Sequence, residues 1–144
     1  MNFRIDNSQI LMTLAKGDNI NQTFESFSEN KGIGCAWLNG IGALENPEIG
    51  YYSIEDKSYH RKQFEGEFEL TSLIGNITMK EGKPFAHTHI TFSDSNYKVF
   101  GGHLFDAKIT AAGEFFMQLG NDKISREMNH KIGLPLWCLE GTLE

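Results

Sequence analysis

The spacing of apolar residues divides the chain into one helix and a series of strands. Gln9-Ile10-Leu11-Met12-Thr13-Leu14 has strand character and ends at Lys16-Gly17. Asp18 is a favourable N-cap, and Ile20, Phe24 and Phe27 then recur at i, i+4 and i+7, one face of a helix. The spacing predicts a helix over residues 18–31, with Gly32 in the C′ position that ends it. A phenylalanine stripe of this kind is a core face rather than a binding groove.

Strand-like stretches follow. Residues 34–44 combine short side chains with three glycines, the pattern of a buried strand that bends or is closely approached. Further strands are expected at 48–54, 59–64 and 68–79. In the last of these Phe68, Leu70 and Ile74 fall on one face and Leu73, Ile77 and Met79 on the other, as in a central strand covered on both sides. Residues 97–100 read as a returning strand, 107–119 as a long strand with a bulge at Gly113, and 123–129 as an edge strand. The tail, 130–144, is apolar enough to dock on the body or on a neighbour. These elements make an α+β domain over residues 1–144, a mixed, mostly antiparallel sheet with one main helix packed against it.

The chemistry-bearing residues lie in the stretch Pro84-Phe85-Ala86-His87-Thr88-His89, answered by Gly101-Gly102-His103-Leu104. His87 and His89 are two apart in a strand and so face the same way. A hairpin folding about Ser95 sets His87 opposite His103 and His89 opposite Gly101, whose missing side chain leaves room above the backbone. Opposed residues have Cβ atoms about 4.5–5.5 Å apart, so three imidazoles converge on one face and could hold one metal ion. Two half-exposed histidines on a polar face would give the same His-x-His pattern, and a one-residue shift of the turn would send His103 to the other face.

Composition narrows the setting. The chain of 144 residues is 40% hydrophobic and 12% aromatic, long enough for a sizeable core, and its eleven phenylalanines fit a β-rich interior. No apolar run approaches the roughly 20 residues of a membrane span, and the N-terminus lacks the regions of a signal peptide. Cys35 and Cys138 form no metal or redox pattern and read as reduced thiols of a cytoplasmic protein. The net charge is −6, with thirteen basic residues scattered singly apart from Arg61-Lys62. That distribution disfavours binding to nucleic acid, which needs clustered Lys and Arg. Gly40-Ile41-Gly42 has neither the spacing nor the following helix of a dinucleotide site.

The order of motifs resembles the domain shared by plants and prokaryotes, the PPC domain. The resemblance is carried by Lys31-Gly32-Ile33, Trp37-Leu38-Asn39-Gly40-Ile41-Gly42-Ala43-Leu44 and Gly50-Tyr51-Tyr52. It continues through Phe64-Glu65-Gly66, Leu70-Thr71-Ser72-Leu73-Ile74-Gly75-Asn76-Ile77 and the two histidine motifs. The resemblance implies an α+β homotrimer and, as in free-standing prokaryotic members, a metal site with His87, His89 and His103 as ligands. Zinc is the usual ion for imidazole ligands. It also implies an association with DNA, since plant members carry AT-hook segments and prokaryotic ones are commonly described as predicted DNA-binding proteins. This chain has no Arg-Gly-Arg-Pro hook, and it has histidines where plant members typically do not.

Two functions of different class follow. One is a trimeric zinc protein that binds or transforms a small molecule; three imidazoles leave a fourth zinc position for water, whose pKa can fall to about 7. Glu114 and Asp94 are candidate proton carriers by nearness in sequence, although a solvated strand residue and a turn residue would read the same way. The other is a DNA-binding or DNA-associated regulatory protein in which the metal shapes a hairpin or senses a ligand.

Overall fold

The computed structural model describes residues 1–141; the last three residues of the apolar tail lie outside that range. The strands are β1 (Asn2–Asp6), β2 (Gln9–Ala15), β3 (Ala36–Ser53), β4 (Ser58–Gln63), β5 (Glu67–Lys80), β6 (Lys83–Ser93), β7 (Val99–Leu119), β8 (Arg126–Asn129) and β9 (Leu134–Trp137). One helix, α1 (Ile20–Lys31), lies between β2 and β3. The main sheet has the order β1-β2-β7-β6-β5-β3-β4, and β3 also pairs with β7. Strands β7, β6, β5 and β3 therefore close into a ring. Among the described residues every ladder is antiparallel, so the expected mixed sheet reduces to one isolated parallel bridge, Met79 to Ser125. No helix among the described residues is long and apolar enough to cross a membrane.

The helix stripe behaves as its spacing predicts: Ile20, Phe24 and Phe27 are buried against Leu38, Leu73, Phe92 and Ile109 in one core. Gly32 takes the left-handed conformation at φ 68°, and the N–H groups of Gly32 and Ile33 close the last turn on Glu29 and Ser28. The N-terminus differs from expectation. Asn19, not Asp18, is the N-cap, and its side chain makes no capping bond. Asp18 instead accepts the Ala15 N–H at 2.9 Å. The helix N–H groups are met by Asp106 of β7, whose Oδ1 accepts from Asn21 N at 3.1 Å. A carboxylate here also complements the positive end of the helix dipole.

Three strand boundaries depart from the sequence reading. Residues 34–44 and 48–54 belong to the single strand β3, bent at Asn46, whose φ is 50° and whose Oδ1 accepts the Gly66 N–H. Of the stretch expected at 97–100 only Val99 and Phe100 are strand, and they belong with 107–119 to the single strand β7, whose pairing with β3 becomes irregular just past Gly42–Gly113. The first strand, β1, is an addition: Asn2-Phe3-Arg4-Ile5-Asp6 alternates polar and apolar residues, but over only five positions, all of them exposed. Strand β5 is central, between β6 and β3, but it is covered on both faces only over Gly75–Thr78; Ile74 is 50% exposed. The stretch expected as an edge strand pairs, over Arg126–Asn129, with part of the tail in the hairpin β8–β9, apart from the main sheet. The tail docks on the body where Tyr52 donates to the Ile132 carbonyl at 2.7 Å and Lys57 to the His130 carbonyl at 3.0 Å. Both cysteines are free thiols.

The Asp106 contact yields a stability prediction. Replacing Asp106 with alanine should lower stability by about 1–2 kcal/mol, the usual scale for a lost cap, read as a lower urea midpoint. An unchanged midpoint would show that water caps the helix equally well.

Candidate metal centre in a wedge between two strands

The β6–β7 ladder pairs Ser93 with Val99, Phe92 with Phe100, Thr91 with Gly101, Ile90 with Gly102 and His89 with His103, and there it stops. The hairpin thus turns about Asn96 rather than Ser95. Moving the pivot by one residue moves each partner by two, so facing is preserved and His103 stays with His89 on the outward face. The expectation that a one-residue shift of the turn would send His103 to the other face is not met, because only a change of pairing by one residue does that. The expected pairs, His87 with His103 and His89 with Gly101, are not formed; Gly101 lies opposite Thr91. His87 sits one outward position further along β6, past the end of the ladder, and leans back toward the other two.

Beyond the His89–His103 pair the strands part, and their freed backbone groups are taken up by α1. Glu25 Oε1 accepts the Ala86 N–H at 3.0 Å. Asn21 Nδ2 donates to the carbonyls of Leu104 and Phe105 at 3.1 and 3.2 Å, and Asn21 Oδ1 accepts from Thr88 Oγ1 at 2.7 Å. Buried backbone polar groups need such partners, so the helix stabilises the separation. The result is a wedge-shaped cavity of about 330 Å³ with His87 and His103 on its walls, Glu25 at the helix side and Arg126 on the far side.

The three imidazoles converge: one nitrogen from each of His87, His89 and His103 lies within 4.8 Å of the others. Ring centroids are 5.2–5.4 Å apart. His103 is 8% exposed, stacked on Tyr59 at 4.8 Å and met edge-on by Phe105 at 5.1 Å. Opposite it on β3 is Gly50, where a Cβ would lie 2.8 Å from the Phe105 ring and 2.9 Å from the Tyr59 ring. Glycine there lets two aromatic rings flank the histidine.

Burial, then the Arg126 charge, then His89 push His87 down to about 4. Burial, followed by the neighbouring histidines and by Arg61 and Arg126, takes His103 to about 4 as well. Burial also lowers His89. All three are therefore neutral near pH 7, the form a metal requires. The donor set fits an imidazole-binding ion. Nitrogens on one tetrahedral zinc, with bonds of about 2.0–2.1 Å, lie about 3.3 Å apart, so small ring rotations suffice. His103 Nδ1 is buried without a hydrogen-bond partner, an expense of about 1–3 kcal/mol that ligation would offset.

The remaining candidates are placed elsewhere. His60 is exposed and bonded to Asp56 at 2.9 Å, and His130 is exposed in the β8–β9 turn. Asp94 accepts the N–H groups of Asn96 and Lys98, holding the hairpin turn. Glu114 lies on the sheet face by Leu11 and Ile41, outside the wedge. Neither serves the site. The groups that do line it, Glu25, Tyr59 and Arg126, escape a sequence reading. Glu25 had one signal: Asn21, Glu25 and Ser28 repeat at i, i+4 and i+7 beside the phenylalanine stripe, a polar row turned inward. Burial raises the Glu25 carboxyl above its ordinary range, which suits a group that holds or passes a proton.

Comparison with known proteins agrees with this architecture. The model of the Plants and Prokaryotes Conserved (PCC) domain matches residues 4–120, and the chain belongs to that family. A plant- and prokaryote-conserved (PPC) protein from Pyrococcus horikoshii is 35% identical with a TM-score of 0.86, covering 98% of this chain and 97% of its own. A metal-containing protein from Archaeoglobus fulgidus is 36% identical with a TM-score of 0.85, covering 96% and 97%. A protein from Bacteroides thetaiotaomicron, provisionally named a DNA-binding protein, is 28% identical with a TM-score of 0.92, covering 97% and 98%. Curated proteins gave no match.

The depressed histidines have a consequence for the metal-free protein. The unfolded chain takes up protons near 6.5, whereas folded His87 and His103 wait until about 4. Between those values the unfolded state binds more protons, so the histidine contribution to stability falls as pH falls from 6.5 toward 4 and is constant above. Urea midpoints across that window should drop in the wild type and drop less in His87→Gln/His103→Gln. Parallel curves would contradict the depressed values.

Proposed function

We propose that this chain is one PCC domain, assembled as a homotrimer, in which His87, His89 and His103 hold a single zinc ion at the mouth of the wedge. There the ion binds or acts on a small molecule. The observation that carries this reading is the convergence of three neutral imidazoles beside a cavity lined by a carboxyl group, Glu25, and a guanidinium, Arg126. The metal content named for the Archaeoglobus fulgidus relative supports it. Zinc held by three protein ligands supplies Lewis acidity and an open position. The chain's own part is to keep the imidazoles neutral, shield His103 with Tyr59 and Phe105, and place Glu25 within the same cavity.

Self-association is supported by the outer sheet face. Leu11, Trp37, Ile41 and Ile74 are each about half exposed, at 49–56%. The paired row Leu11, Phe116, Asn39, Ile74 and His89 crosses five strands and ends at the metal cluster. An apolar face of that extent is unusual on a monomer. Sedimentation equilibrium at micromolar concentration should give three times the 16.3 kDa chain mass; a monomer would end the idea.

The alternative, a DNA-binding protein, is supported by the provisional name of the Bacteroides relative. Charge works against it. In the single basic pair, Arg61 bonds Glu48 at 3.0 Å and lies over Phe105, and Lys62 lies over Phe64. Duplex DNA should bind weakly and without sequence preference at physiological salt, and tight selective retention would favour the alternative.

Elemental analysis tests the metal directly. The wild type should carry about one equivalent of zinc per chain. Alanine at His87, His89 or His103 should remove most of it, whereas alanine at His60 or His130 should not. Because the ligands are already neutral, zinc should be retained below pH 6.5 and lost as the medium approaches 4. A metal-free wild type purified without chelators, or equal loss in His60→Ala, would refute the site.

A further inference from the structure

Arg126 carries its charge at the wedge without an anionic partner among the described residues. Its guanidinium, part-buried, donates from Nε to Thr78 Oγ1 at 2.6 Å and from one terminal nitrogen to the Pro135 carbonyl at 3.0 Å. The other terminal nitrogen donates to Asn76 Oδ1 at 2.8 Å and reaches His87 Nδ1 at 3.3 Å. Every acceptor is neutral, and none of the ion pairs among the described residues includes Arg126. The acids of the wedge are committed elsewhere, Glu25 to the Ala86 N–H and Asp106 to the start of α1. A part-buried cation with only neutral partners favours an incoming anion, and the guanidinium fork matches a carboxylate.

The contact with His87 links this cation to the metal. A guanidinium only donates, so while the contact lasts the His87 Nδ1 lone pair is engaged and the ring proton sits on Nε2. An ion bound at Nδ1 would displace Arg126. An ion bound at Nε2 would require the proton on Nδ1, setting two N–H groups against each other. Loading breaks the contact in either case and frees an Arg126 N–H for another acceptor. Three neutral imidazoles also cancel none of a divalent ion's charge, so the loaded site is more attractive to anions than the bare one. The neighbouring walls are apolar, built by Phe85, Ala86, Leu104, Leu134 and Leu136. At about 330 Å³ the cavity is at the small end of ligand sites.

We infer that the wedge takes a small monocarboxylate with a short apolar tail, its carboxylate on Arg126 beside the histidines and its tail among Phe85, Leu134 and Leu136. This rests on the three-histidine reading for part of its charge, while Arg126 supplies the rest together with Lys80, which lines the same cavity over Phe85.

The test loads the protein with cobalt(II), whose visible spectrum reports its ligands, and titrates acetate, propionate and butyrate against uncharged butyramide. The acids should shift the spectrum saturably, tightening about fourfold per added methylene. Butyramide should bind about tenfold more weakly or worse, and Arg126→Gln should weaken butyrate about tenfold while cobalt still loads. Equal affinity for butyrate and butyramide, or undiminished butyrate binding in Arg126→Gln, overturns the inference. Cobalt that fails to load counts against the three-histidine reading instead. In that event, or if Arg126→Gln does not fold, butyrate is titrated into the metal-free wild type and the Arg126 Nε–H resonance is followed by NMR. A saturable shift upholds the carboxylate site, and a resonance that does not move overturns it.

Discussion

The feature on which the rest depends is the end of the β6–β7 ladder at the His89–His103 pair. An antiparallel ladder cannot simply stop inside a protein, because each freed N–H and C=O needs a partner. Here the partners come from one helix face, where Asn21 and Glu25 bond the edges of both strands. Those bonds hold the strands apart, and the gap becomes the cavity. The final rung of the ladder brings His103 against His89 at its mouth. The histidine cluster and the pocket are thus two results of one interruption in pairing. The helix is placed to serve it by the phenylalanine stripe, buried in the core, and by Asp106, which meets the helix start from the far end of the wedge.

Electrostatics follow from the same geometry. Turning the histidines outward on the sheet but covering His103 with Tyr59 and Phe105, and setting Arg126 of the β8–β9 hairpin beside His87, removes water from these two without supplying any acid to pair with them, while His89 stays exposed. Desolvation then favours the neutral imidazole, and the nearby Arg126 reinforces it. A carboxylate beside them would raise their pKa. The nearest buried acids, Glu25 and Asp106, are instead spent on backbone N–H groups.

Much of this was legible in the sequence because periodicity survives small errors of placement. The helix showed in Ile20, Phe24 and Phe27, and the shared face of His87, His89 and His103 survived a misplaced turn because the pivot moved by a whole residue. Boundaries fared worse where one residue bends a strand without ending it. Asn46 and Pro47 look like a turn but form a bulge within β3, since the left-handed Asn46 is stabilised by its bond to Gly66. The ring closure of β3 on β7 left no local mark, because it joins residues far apart in sequence. Nor did the pocket. Arg126 reaches the histidines from a hairpin about forty residues after His87, and only the fold brings it there; nearness in sequence pointed to Asp94 and Glu114, which serve a turn and a part of the outer sheet face by Leu11 and Ile41, outside the wedge.

The most direct test is where an ion sits. Crystals grown with zinc and measured on both sides of the zinc absorption edge should show one strong anomalous peak per chain, about 2.0–2.1 Å from a nitrogen of each of His87, His89 and His103. A peak held by other residues, or no peak at the three histidines in fully loaded crystals, would contradict the account.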